Sequence, residues 1–172
     1  LQNQSVLYVR DGLTGEGRPL IDPNQWAKDG ATALAEWSPS KDGSMLAYAI
    51  QDGGSDWRTV RVMDVSTGKD KSDAIEWVKF SGLEWVGNEG IIYSRFPAPD
   101  SSQAFQALNT NQAVYFHKIG TGQGEDVLLY ATPDRPQLNH VGEVTSDGQW
   151  LILTSSSGTD DRFEIHGRKI AG

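Results

Sequence analysis

One pattern recurs three times along the chain and limits what it can fold into: an apolar opening, a polar turn closed by glycine, then an apolar or aromatic run. It reads Ala35-Glu36-Trp37-Ser38-Pro39-Ser40-Lys41-Asp42-Gly43 ahead of Met45-Leu46-Ala47-Tyr48-Ala49. It returns as Leu83-Glu84-Trp85-Val86-Gly87-Asn88-Glu89-Gly90 ahead of Ile91-Ile92-Tyr93-Ser94. The third copy is Gly142-Glu143-Val144-Thr145-Ser146-Asp147-Gly148 ahead of Trp150-Leu151-Ile152-Leu153-Thr154. A fixed repeat of this length marks a stacked or radial architecture. Asp42-Gly43 and Asp147-Gly148 suit tight hairpins, since glycine enters positive φ without a Cβ clash. The second interval, Glu84 to Glu143, is longer than the first and carries the polar insertion Pro97 to Asn111.

The filling between anchors is also strand-like. Asp56 to Val65 and Ala113 to Ile119 are rich in β-branched and aromatic residues and run into Ser/Thr-Gly turns. Ala74 to Phe80 and Asp126 to Tyr130 supply a fourth strand to each unit. Four short strands in roughly 40–50 residues make a β-propeller blade. The chain is therefore expected to be all-β, a partial propeller of about three to three and a half blades of four antiparallel strands. Residues 1–22 end a first blade, through Ser5 to Arg10 and Pro19 to Asp22. Residues 32–80 form a second blade, 82–131 a third, and 138–170 most of a fourth that lacks its last strand. Two alternatives compete: Ala31 to Trp37 has good helix propensity, and a β-sandwich shows turn signals as frequent as these. A partial ring leaves a blade face bare at each end, so self-association of the open piece is expected.

Composition narrows the function. A net charge of −8 disfavours a phosphate-backbone partner. The chain has no cysteine, which excludes disulfides, thiolate zinc sites and a thiol nucleophile. No apolar run approaches the roughly 20 residues of a membrane helix, so a soluble protein is expected; composition does not give its compartment, and cytoplasmic and periplasmic both stay open. The chain opens Leu1-Gln2-Asn3-Gln4, without methionine, basic stretch or apolar leader, as an internal segment or a processed start would.

The residues offer no catalytic set. The nearest approach to Gly-x-Ser-x-Gly is Gly53-Gly54-Ser55-Asp56-Trp57, with tryptophan where the second glycine must be small. His117 in a strand, His140 in a polar loop and His166 in the last strand have no metal-ligand spacing, so neither metal nor cofactor is expected. The acids at 52–56 and at Asp160-Asp161 read as turn residues. Gly120-Thr121-Gly122-Gln123-Gly124 lacks the Lys-Ser/Thr of a phosphate loop and reads as a hairpin. Asn3-Gln4-Ser5 fits a glycosylation sequon, inert if it lies in a strand. The six tryptophans read as core.

At Gly54-Ser55-Asp56-Trp57-Arg58-Thr59-Val60-Arg61-Val62-Met63 the sequence resembles the prolyl oligopeptidase family. The likeness extends to Leu1-Gln2-Asn3-Gln4-Ser5-Val6-Leu7-Tyr8-Val9, Val78-Lys79-Phe80-Ser81, Glu125-Asp126-Val127-Leu128 and Thr145-Ser146-Asp147-Gly148. It covers the propeller portion of that family and not the α/β-hydrolase domain that carries the triad. The resemblance implies a serine endopeptidase parent that cleaves short proline-containing peptides after proline. Its seven-bladed propeller admits short peptides and excludes folded proteins, and this segment would be non-catalytic by itself. It also implies that Phe80 faces the substrate cavity and that Asp56 pairs with a substrate-binding arginine of the parent's hydrolase domain. Asn139 stands where a methionine is expected in the cavity wall, and Thr159 where a cysteine is. A second reading is a non-catalytic TolB-like propeller that binds a protein or peptide on one face. Its Ser-Pro-x-x-Asp-Gly-type repeats resemble Ser38-Pro39-Ser40-Lys41-Asp42-Gly43.

Overall fold

The hairpin turns and β-rich runs build thirteen strands in the computed structural model, which describes residues 3–26, 30–99 and 109–170. Leu7–Arg10 (β1) and Gly17–Ile21 (β2) pair as a separate ribbon. Ala33–Pro39 (β3), Met45–Gln51 (β4), Arg58–Asp64 (β5) and Lys69–Val78 (β6) then form an antiparallel meander. Glu84–Val86 (β7), Gly90–Arg95 (β8), Ala113–Lys118 (β9) and Val127–Tyr130 (β10) form a second. The two meanders touch edge to edge through the single pair Val78↔Arg95. Leu138–Val144 (β11), Trp150–Ser157 (β12) and Phe163–Lys169 (β13) make a third, three-stranded sheet. From Ala33 onward the segment Ala31 to Trp37 is strand and not helix, because its pairing with β4 outweighs local propensity. The middle of the insertion expected at Pro97 to Asn111 lies outside the described residues.

The sheets stack face on face, as blades do, which excludes the sandwich. Strand β4 sits between two neighbours and so has no polar face. Ala47 and Ala49 pack with Val60, Val62 and Ile75 against Trp85, Ile91 and Tyr93 of the next blade. Leu46 and Tyr48 turn the other way, toward Ile21 of β2. Strand β8 repeats the arrangement, with Ile92 joining Val114, Leu151 and Leu153 of the following sheet. Each fully buried side chain of this size contributes roughly 1.5–3 kcal/mol. Gly90 is required by a close approach: a Cβ there would overlap the His117 carbonyl and the Phe116 ring.

The second anchor, Glu84-Trp85, ties blade to blade. Trp85 donates its indole N–H to the Ser38 carbonyl of the preceding blade (2.8 Å). Glu84 accepts the Val144 amide N–H of the following blade (3.2 Å), and its burial raises its pKa. Glu36 is likewise raised by burial, against the nearby Arg58 guanidinium at 3.3 Å. The expectation that all six tryptophans are core is corrected. Only Trp85 is buried, whereas Trp37 and Trp150 are exposed.

The clearest polar core is a second tie between blades. His117 of β9 is fully buried, with Nδ1 2.7 Å from Asp126 and Nε2 2.9 Å from Asp73 of β6. Tyr93 donates its hydroxyl to Asp126 (2.5 Å), and the Gly120 amide donates to Asp73 (2.6 Å). Burial alone would lower the His117 pKa, but hydrogen bonds and charge from Asp126 and Asp73 raise it above the ordinary histidine value. Two further expectations change. His140 is not in a loop but buried within β11, its ring facing Ser155 and Thr132 and its backbone groups matched by Gln112 and Ser94 of the preceding blade. Asn3 lies ahead of β1 rather than inside a strand.

Candidate functional site

Strand register brings one set of loops to one end of the stack. Gln51↔Arg58, Arg58↔Val78, Val78↔Arg95, Arg95↔Ala113 and Leu138↔Ser157 all lie at that end. The loops after β4, β6, β8, β10 and β12 therefore share a rim. All four residues singled out from the sequence, Asp56, Phe80, Asn139 and Thr159, fall on it. So do Trp77, Phe80 and Asn111, the non-glycine residues with positive φ among those described. Such residues cost about 1–3 kcal/mol each and persist where surroundings hold them.

The loop after β4 is shaped by its own polar groups. Ser55 donates its amide N–H to the Asp52 carbonyl (3.2 Å), with Gly53 and Gly54 between them and Gly54 at φ +82°. Gln51 reaches back to the Ser55 carbonyl (2.8 Å) and also accepts from Arg58 Nε (3.3 Å). The outcome is that Asp56 projects from the rim with its carboxylate two-thirds exposed.

Lys79 joins Asp56 to Phe80. Its ammonium lies 3.5 Å from Asp56, 5.2 Å from the Trp57 ring centroid and 5.1 Å from that of Phe80, and its side chain is nearly buried. Edge contacts between Trp57 and Trp77, Trp57 and Phe96, and Phe80 and Phe96 extend the aromatic cluster. Phe80 is half exposed, so it is not an ordinary core phenylalanine. This arrangement offers a carboxylate for a cation beside an aromatic plate for an apolar group.

Asn139 is the second residue of β11, and its Oδ1 is buried without a hydrogen-bond partner among the described residues. Beside it, His140 lies 2.7 Å from Ser155 Oγ and 3.0 Å from Thr132 Oγ1. Burial first, then the Arg135 charge, lowers its pKa. This serine and histidine are both buried, and the third group is a hydroxyl that carries no charge to hold an imidazolium. Thr159 is exposed in the β12–β13 turn, and no contact joins it to Asp56 or Phe80.

The structure thus links Asp56 and Phe80 through Lys79, and sets Asn139 and Thr159 elsewhere on the same rim. Sequence reading missed Lys79, whose signal was a lone cation between an apolar residue and an aromatic. It also missed Gln112, which has no local signal.

Residues 1–169 match the family model described as prolyl oligopeptidase, N-terminal β-propeller domain. The prolyl endopeptidase of Elizabethkingia miricola is 37% identical over 160 residues, which cover 93% of this chain and 23% of that protein. The dual function macrocyclase-peptidase POPB of Galerina marginata is 31% identical over 183 residues, covering 94% of this chain and 25% of that protein. The chain thus spans about a quarter of the length of the curated relatives it matches. A structure from a study of two prolyl endopeptidases superposes with TM-score 0.89 at 46% identity, covering 99% of this chain and 24% of that one. The Galerina marginata enzyme bound to a 35-residue hydrolysis and macrocyclization substrate gives TM-score 0.88 at 27% identity, covering 99% of this chain and 26% of that one.

Proposed function

Because this chain belongs to the N-terminal β-propeller family of prolyl oligopeptidase, we propose that it walls the chamber of a serine endopeptidase that cleaves short peptides after proline. In this reading 1–22 close a first blade, 32–80 and 82–131 are the second and third, and 138–170 are most of the fourth. An α/β-hydrolase domain of the same parent chain holds the triad, and the propeller segment does no chemistry itself. Its work is exclusion: a walled chamber admits short flexible peptides and keeps folded proteins from the nucleophile. The single observation that carries this is the rim cluster, where an exposed Asp56 carboxylate stands beside a half-exposed Phe80 held at positive φ.

Asp56 takes the substrate-binding arginine of the hydrolase domain through charge-assisted hydrogen bonds. Phe80 and Asn139 line the peptide cavity, and Thr159 borders it. The bare faces that carry Val141, Phe163 and Ile165 at one side and Tyr8 at the other are covered by further blades of the parent. Separated from the parent, the chain self-associates through them.

In the full-length protein, Asp56→Ala should lower kcat/KM for a proline-containing peptide by roughly ten- to a hundredfold, the loss expected for a charged hydrogen bond. Phe80→Ala should raise KM. The isolated chain should hydrolyse nothing. Unchanged kinetics in both variants would favour a purely structural, self-assembling β-domain, a parent reading frame without a Gly-x-Ser-x-Gly hydrolase would favour the TolB-like binding module, and turnover by the isolated chain would place the catalytic groups within it.

A further inference from the structure

Gln112 is fully buried at the entry to β9, yet its side chain spans three blades. Its Nε2 donates to the Lys79 carbonyl at 2.7 Å and to the Phe80 carbonyl at 3.2 Å, both on the loop that follows β6. Its Oε1 accepts the His140 amide N–H of β11 at 2.5 Å. Two carbonyls on one side and an N–H on the other leave the amide one orientation. The entry to β9 is itself fixed, since the Asn111 amide donates to the Pro136 carbonyl at 2.7 Å and Asn111 sits at φ 61°.

We propose that Gln112 is the positioning residue of the rim, clasping the Lys79–Phe80 backbone and coupling it to the strand that bears Asn139. Phe80 adopts positive φ, a conformation an aromatic side chain rarely takes unless its surroundings fix it. The hydrogen bonds from Gln112 fix the two carbonyls on either side of that Cα region. With the backbone held, the Phe80 ring meets Phe96 edge-on and Lys79 beneath it in one arrangement. A second consequence follows through Oε1: a shift of β11 at His140 is passed to Phe80 by one rigid amide. The inference rests on the reading of Phe80 as a cavity wall, and it adds what holds that wall and what moves with it.

Gln112→Glu in the full-length protein is the selective test. The carboxylate still accepts from His140 but cannot donate, and it faces the Lys79 and Phe80 carbonyls with an acceptor. KM for a proline-containing peptide should rise about tenfold with kcat changed less than about twofold, because the interaction lost is made in ground and transition state alike. A 4-fluorophenylalanine placed at position 80 should show a shifted or broadened fluorine resonance in Gln112→Glu and in Gln112→Leu. In the wild type the Gln112 side-chain amide protons should be protected from exchange, a measurement that needs no variant. An unmoved fluorine signal, rapid exchange of that amide, or, where Phe80→Ala does raise KM, a loss of thermal stability in Gln112→Glu without change in KM would each overturn the proposal. Should Phe80→Ala leave KM unaltered, the cavity reading fails, while the fluorine and exchange results still decide whether Gln112 holds the ring.

Discussion

Replacing His117 with leucine removes the imidazole that bridges a buried site and leaves the Asp73 and Asp126 carboxylates facing each other across it. Both acid side chains are fully buried, at 2.9 and 2.7 Å from the imidazole, so neither recovers water when the ring is lost. Breaking a buried ion pair by deleting one partner costs about 3–5 kcal/mol. For a chain of this length that is a fall in Tm on the order of 10 °C. Adding Asp73→Asn and Asp126→Asn should restore most of the loss. The two amides still accept from Gly120 and Tyr93, and no charge is stranded. The wild type also carries a pH signature. The folded His117 pKa lies above its unfolded value, so its stabilisation is full below about pH 6.5 and fades as pH rises through the folded value. Urea denaturation followed by tryptophan fluorescence across pH 5 to 9 would measure both effects. A loss under about 1 kcal/mol for His117→Leu, or a triple variant no better than the single one, would refute the ion-triad account.

Gly90→Ala should destabilise by about 3 kcal/mol, since the new methyl overlaps the His117 carbonyl and the Phe116 ring; a lowered urea midpoint checks it. Trp85→Phe should cost about 2 kcal/mol and speed amide exchange in β3 and β7, because the Ser38 carbonyl loses its indole donor. Arg135→Ala breaks a bidentate pair with Glu164 but both side chains are exposed, so its effect on Tm should correspond to less than about 1 kcal/mol.

The blades were legible because their punctuation is local. Asp-Gly turns and β-branched runs set strand after strand, and the recurrence of the unit overrode the helix propensity of Ala31 to Trp37. Strand β6 was read too short: it begins at Lys69, whose polar run Lys69-Asp70-Lys71-Ser72 is exposed and so lacks an apolar signature. His140 was read as a loop residue because its neighbours are polar. Its actual environment is set by Thr132, Ser155 and Gln112, none adjacent in sequence. The rim was half legible. Asp56 and Phe80 stood out by resemblance, but Lys79 and Gln112 act through a salt bridge, ring contacts and backbone carbonyls that only the assembled sheets bring within reach.

The Glu84-Trp85 anchor gives its sheet a front and a back. Glu84 reaches forward to β11 and Trp85 reaches back to β3, so what one sheet offers is what its predecessor accepts. Such polarity makes the contact heterologous: two open stacks fit head to tail, not mirror to mirror. Growth by that rule either curls shut or runs on as a filament, and the turn between successive sheets chooses between them.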